Sequence, residues 1–231
     1  RAWVKPRGQA RCLSPGPRCD PRAADRALRP AHRAGRMSVA TRVLTGPALE
    51  AALDDVARLR ITVFRDWPYL YDGDLDYERR YLSVYAQKPD AILVGAFDGD
   101  RLVGAATGTP MEDHASDFAA AFEGTGLALG DIFYCAESVL LPAYRGHGLG
   151  HAFFDAREAH ARALGRSHVA FCGVVRPEDH PMRPEAPRDL GPFWRGRGYA
   201  PLEGVIARFS WRDLGDAGET QKPLQFWIKR L

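Results

Sequence analysis

Leu140-Leu141-Pro142-Ala143-Tyr144-Arg145-Gly146-His147-Gly148-Leu149-Gly150 marks the point where an apolar run ends and an amphipathic period begins. Glycine stands at 146, 148 and 150. Glycine accepts positive φ and lets a ligand come within contact distance of peptide N–H groups. Free N–H groups at a helix start, with the positive end of the helix dipole behind them and Arg145 beside them, suit an anion such as a pyrophosphate. The same glycines would also serve a tight turn or close packing.

Two familiar phosphate cradles do not fit. No Gly-Lys pair is followed by Ser or Thr here, and glycines spaced by two depart from G-x-G-x-x-G. What remains is Arg145-x-x-Gly148-x-Gly150 after a strand ending in Leu141-Pro142, with Ala143-Tyr144-Arg145-Gly146 between. This resembles the acetyl-CoA motif R/Q-x-x-G-x-G/A of the GNAT superfamily of N-acetyltransferases.

The resemblance implies a single α/β domain, with a mixed sheet whose strands splay around the CoA site. It implies acetyl-CoA as acyl donor and no metal. Backbone N–H groups of Arg145, Gly146, His147, Gly148, Leu149 and Gly150 would hold the pyrophosphate. The backbone of Val139, Leu140 and Leu141 would receive the pantetheine in the manner of an added strand. His147 occupies a variable motif position and reads as an exposed loop residue.

The 231 residues suffice for one sizeable core, and no apolar run reaches the 18 or so residues a membrane helix needs. Charge is unevenly placed. Residues 1–36 hold ten Lys/Arg against two Asp/Glu, and residues 37–231 hold 22 against 27. The leader carries five prolines and no sustained period, so it reads as disordered. Met37-Ser38 precedes the first structural period, and Met37 is expected to be the natural start, with native protein beginning earlier as the observation against it. The acidic body argues against nucleic acid and mildly for cationic acceptors. Cys135 and Cys172 sit singly in apolar runs, which suggests buried thiols in a reducing compartment and hence the cytoplasm.

Along the chain, Thr41–Thr45 alternates as a strand, and Leu49, Ala52, Leu53, Val56, Leu59 and Val63 recur at helical spacing behind Gly46-Pro47. Asp74 is an N-cap for a second helix with Tyr77, Tyr81, Val84 and Tyr85 on one face. Ala91–Phe97 and Arg101–Thr109 flank Asp98-Gly99-Asp100 as a hairpin. A short helix spans Glu112–Phe122, a strand Ile132–Leu141, and a helix runs from Leu149 to Leu164. A strand at His168–Val175 completes a right-handed βαβ unit. Arg176–Asp189, with four prolines, is a loop, and Val205–Trp211 and Leu224–Ile228 close the chain. The order β-α-α-β-β-α-β-α-β-α-β-β fits the GNAT fold over residues 39–231. Leu224–Ile228 is read as an edge strand able to pair two subunits.

Amide formation from a thioester needs a neutral amine, and an alkylammonium with a pKa near ~10.4 must first lose a proton. Glu137, in Cys135-Ala136-Glu137-Ser138-Val139, is the one acid on the strand entering the cradle, and burial would raise its pKa toward a useful range. It is the candidate base; the alternative is a side chain facing solvent or paired with an arginine. Between the first two helices, Tyr69, Tyr71 and Asp72 are candidates for the wall of a small-molecule or peptide amine acceptor site, the alternative being aromatic closure over the core. The family's late helix usually carries a tyrosine as acid, and Trp194 stands at that position. Trp194 leaves open a second possibility, a non-catalytic acyl-CoA sensor.

Overall fold

The structure, a computed structural model, describes residues 39–231. The basic leader and the proposed start at Met37 lie outside them. Strand β1 (Val39–Leu44) pairs antiparallel with β2 (Ile92–Asp98), and β2 turns through Gly99-Asp100 into β3 (Arg101–Pro110). Before them come α1 (Gly46–Phe64), opened by Pro47, and α2 (Leu75–Gln87). The Asp74 carboxylate caps α2 by accepting from Tyr77 N–H at 2.8 Å. Of the face expected on α2, Tyr85 is buried while Tyr77 is half exposed.

The apolar hairpin is covered on both faces. Ile92, Val94 and Ala96 of β2 pack with Phe153 and Phe154 of α4 (Leu149–Ala163), while Leu93 packs with Val56, Leu59 and Leu82 of α1 and α2. Helix α3 (Ala115–Phe122) places Phe118 and Phe122 on the other half of the sheet, formed by β6 (His168–Val174), β7 (Ala200–Arg212) and β8 (Glu219–Arg230), with α5 (Gly191–Gly196) between β6 and β7.

The expected central strand is two strands. β4 (Ile132–Tyr134) runs parallel to β6, as the βαβ reading requires, while β5 (Ser138–Leu140) pairs with β3 alone. β3 faces Tyr134 with Thr109 and Ser138 with Ala106, so three residues, Cys135 to Glu137, oppose two, Thr107 and Gly108. That one-residue excess is a bulge, and it turns the chain from β6 toward β3. The sheet order is β1-β2-β3-β4-β6-β8-β7. β8 therefore lies inside the sheet between β6 and β7, which corrects the reading of Leu224–Ile228 as an edge: its hydrogen bonds are already taken on both sides.

One buried side chain holds the break. Arg157 of α4, 1% exposed, donates to Phe153 O (3.2 Å), Thr107 O (3.1 Å), Glu137 O (2.9 Å) and Ser138 Oγ (2.8 Å). It has no carboxylate partner among the described residues, and its cation lies 4.8 Å from the Phe154 ring centroid. Hydrogen bonds from a charged donor contribute about 1.5–3 kcal/mol each, partly offset by desolvation of the guanidinium. Arg157→Met is expected to lower unfolding free energy by about 3 kcal/mol, read as a shift of the urea midpoint at unchanged slope. A loss below about 0.5 kcal/mol, the level of an ordinary surface substitution, would show that the bulge stands without it.

Candidate active site

Beyond the bulge the sheet opens between β5 and β6. Leu141 N–H is spent on Val103 O (3.0 Å), so strand alternation turns the backbone of Ser138 and Leu140 to the open edge. A cleft of about 710 Å³ occupies the gap. Ser138 and Leu140 line one side, Phe171 to Val174 the other, and the loop after β6 contributes Arg176, Arg183 and Arg188.

The glycine turn forms part of the same cleft. Gly146 has φ 84° and Gly148, the N-cap of α4, has φ 81°. A Cβ at either would meet nothing within 4 Å, so the backbone angle requires glycine and the space before the turn is open. Ala152 is the first residue of α4 whose N–H finds a carbonyl, that of Gly148 at 3.2 Å, and no side chain caps the helix. The N–H groups of Leu149, Gly150 and His151 are left for a ligand or water. Arg145 lines the cleft and its Nε donates to Leu140 O at 3.2 Å, tying the turn to β5. An anion fits this arrangement, with a row of N–H groups, a helix dipole and a guanidinium.

On the other side of the bulge lies a second cavity of about 180 Å³. Its walls include Tyr69, Tyr71, Tyr81, Phe118, Tyr134 and Trp211, with Glu78, Glu137 and Arg60 among them. Phe64, Tyr69, Ala136, Glu137 and Cys172 line both cavities and so form the partition between them. Glu137 Oε2 is 2.7 Å from Arg60 Nη1 and accepts from Tyr81 OH at 3.4 Å, while its Oε1 is buried without a hydrogen bond. Arg60 Nε is 2.5 Å from Oε2 of Glu78, itself fully buried. Glu137 is thus both paired with an arginine and placed on the partition.

The other sequence candidates divide. Leu140, Arg145, Gly146, Gly148 and Gly150 meet in the large cleft with Glu137. Val139 and Leu149 turn their side chains into the core, Leu141 packs beside it, and His147 is exposed. Tyr69 lines both cavities and Tyr71 the smaller one. Asp72 reaches neither, because its carboxylate is held 2.6 Å from Arg212; it is a surface ion-pair residue. Trp194 packs its ring against Phe171 and Trp227 (centroids 4.9 and 5.0 Å) and also lines the large cleft.

Sequence reasoning missed Arg60, Glu78 and Arg157. Each left a signal, a charge on an apolar helical stripe: Arg60 between Val56 and Phe64, Glu78 beside Leu82, and Arg157 between Phe153 and Ala161. It also missed Arg176, which donates to Pro68 O (2.8 Å) and Tyr69 O (2.7 Å) and pairs with Asp213 at 2.6 Å. One guanidinium thereby fastens the loop after β6 to the aromatic segment.

Cys172 sits in the partition, 3.2 Å from Tyr134 OH, and burial pushes its thiol up to about 12. Burial likewise raises Cys135 and the hydroxyls of Tyr69, Tyr81 and Tyr134. At pH 8 such a thiol is only about 0.01% thiolate, against about 10% for one at the ordinary value of 9.0. Iodoacetamide at pH 8 is therefore expected to alkylate Cys172 about 1,000-fold more slowly in the folded chain than in urea, followed by peptide mass spectrometry. Equal rates would contradict the described burial.

Comparison with known proteins agrees with this fold. The sequence profile of the Acetyltransferase (GNAT) family matches residues 58–191. A ribosomal-protein-alanine N-acetyltransferase from Brucella melitensis superposes with a TM-score of 0.54 at 15% identity, covering 83% of this chain and 99% of its own. A protein assigned as an acetyltransferase from Salmonella typhimurium, solved with its cofactor acetyl-CoA, superposes with a TM-score of 0.52 at 12% identity, covering 84% and 94%. No curated protein sequence matches. The family match spans more than half of the chain, from the middle of α1 through the bulge and cradle to the start of α5, and the chain belongs to the GNAT acetyltransferase family.

Proposed function

We propose that the chain transfers an acetyl or related short acyl group from acetyl-CoA to a primary amine, with Glu137 as the base. The observation that carries this reading is the partition: one carboxylate lines both a cleft suited to CoA and a small pocket suited to an amine. The large cleft offers an open strand edge at Ser138 and Leu140, unpaired N–H groups at Leu149 to His151, and Arg145. These groups would hold pantetheine and pyrophosphate. Acetyl-CoA supplies there an activated acyl thioester with a thiol leaving group.

Glu137 meets two requirements of a base. Its Oε2 is anchored by Arg60 and Tyr81, so the carboxylate is held in place, and its Oε1 has no hydrogen bond to give up before accepting a proton. On this reading Glu137, which lines both cavities, stands where a proton would leave the attacking nitrogen. No tyrosine of α5 stands ready as an acid for the leaving thiolate, since Trp194 fills that place with an indole that does not ionise usefully. That substitution is what favours the alternative, an acyl-CoA sensor without turnover. The proposed setting is the cytoplasm, in keeping with two buried free thiols.

Thiol release from acetyl-CoA, followed against a panel of primary amines, is expected to depend on an amine. Glu137→Gln should lower kcat by about 100-fold or more while CoA affinity stays within about twofold. Arg60 keeps its bond to Glu78 in this variant, so the fold should persist. Tight binding of acetyl-CoA without release across the panel would favour the sensor. Gly148→Val, which forces a β-branched residue to positive φ, should weaken CoA binding by about tenfold or more.

A further inference from the structure

The small pocket has an unbalanced charge. Glu78 is fully buried, and Glu137 and Arg60 are each 8% exposed. Arg60 is the only Lys or Arg among the described residues lining this pocket, and it spends Nε on Glu78 and Nη1 on Glu137. Its guanidinium also stacks over Tyr81 and Phe64, at 4.5 and 5.0 Å. Two carboxylates and one cation leave a net −1, and Asp117 on the same wall adds a further negative charge. His114, also on the wall, is pushed down by burial, so it stays neutral at pH 7 and does not compensate. Buried charges are stable when paired. The second observation pointing to a ligand is that Glu137 Oε1 and Glu78 Oε1 are both buried acceptors without a donor, on two residues that line this cavity.

Size and lining narrow the ligand further. At about 180 Å³ against about 710 Å³ for the large cleft, the cavity suits a small molecule. The aromatic walls favour an apolar body and an ammonium lying over ring faces. A carboxylate on the ligand would meet two buried glutamates and an arginine with both partners already in place.

We propose that the acceptor is a small, carboxylate-free primary amine with an apolar body, drawn in as its ammonium ion to complete the Glu78–Arg60–Glu137 charge set. The inference rests on reading the small pocket as the acceptor's. Glu78 is then a specificity residue: it supplies the second negative charge without which Arg60 would neutralise Glu137. Glu137 binds the ammonium through Oε1 and then takes its proton.

Calorimetric titration of the full chain with 2-phenylethylamine, phenylalanine and 2-phenylethanol at pH 7 tests this: the amine and the alcohol share body and size and differ in charge, and phenylalanine adds a carboxylate to the amine. 2-Phenylethylamine is expected to bind at least tenfold more tightly than either of the others. Equal binding of phenylalanine would overturn the exclusion of carboxylates, equal binding of the alcohol would overturn the charge argument, and binding of none would overturn the pocket. In Glu78→Gln the preference for amine over alcohol should shrink about tenfold with affinity for the alcohol unchanged; loss of both would mark a structural role and count against the proposal. Binding of the amine without its acetylation would remove the enzymatic reading and leave this one standing, whereas acetylation of phenylalanine at equal kcat/KM would do the reverse.

Discussion

The guanidinium of Arg157, buried against the two carbonyls and one hydroxyl that define the break between β4 and β5, is the interaction on which the rest of the architecture depends. A continuous strand here would pair with β6 along its whole length and leave no room between them. The bulge removes that pairing after Tyr134, and α4 crosses the sheet with an arginine aimed at the kink. The helix that begins in the glycine cradle therefore also holds open the cleft that the cradle serves. Anion site and strand separation are two ends of one rigid element.

Around the small cavity the fold tolerates a set of buried charges that a purely structural core would avoid. Glu78 and Arg60 lie on the apolar faces of α2 and α1, where leucines would pack as well, and replacing a buried ion pair by hydrophobic residues is often neutral or stabilising. Their presence is easier to understand as orientation than as stability. Arg60 fixes one oxygen of Glu137 and leaves the other unoccupied, and the surrounding tyrosines do not donate to that oxygen. The desolvation that raises their hydroxyls also keeps them neutral beside a carboxylate.

Much of the fold was legible in sequence because its signals are local. Pro47, the Asp74 cap, the Asp98-Gly99-Asp100 turn and the glycines of the cradle each set a backbone angle or satisfy a donor within a few residues. The bulge was not legible, since Ile132–Leu141 is apolar and β-rich throughout and the break is imposed by Arg157, some twenty residues on. The position of β8 was missed for a related reason: strand order belongs to pairing between distant segments, and β7 precedes β8 in sequence yet takes the outer place. Within the site, the glycine turn was readable as one contiguous motif, whereas the small cavity is assembled from α1, α2, α3 and several strands. Arg60 and Glu78 are far apart in the chain, and only their apolar surroundings hinted that they meet.

The loop after β6 enters the site through Arg176, whose guanidinium is bound to Pro68 O, Tyr69 O and Asp213 before the chain passes on to Arg183 and Arg188. Residues beyond that anchor are mostly exposed and rich in proline, so they form few contacts that a change of length would disturb. Insertions, deletions and drift in this segment can remodel the large cleft while the aromatic wall behind Arg176 keeps its place. Arg176 thus marks a boundary in evolvability: the loop that lines the large cleft is free to vary independently of the aromatic segment that lines the small cavity.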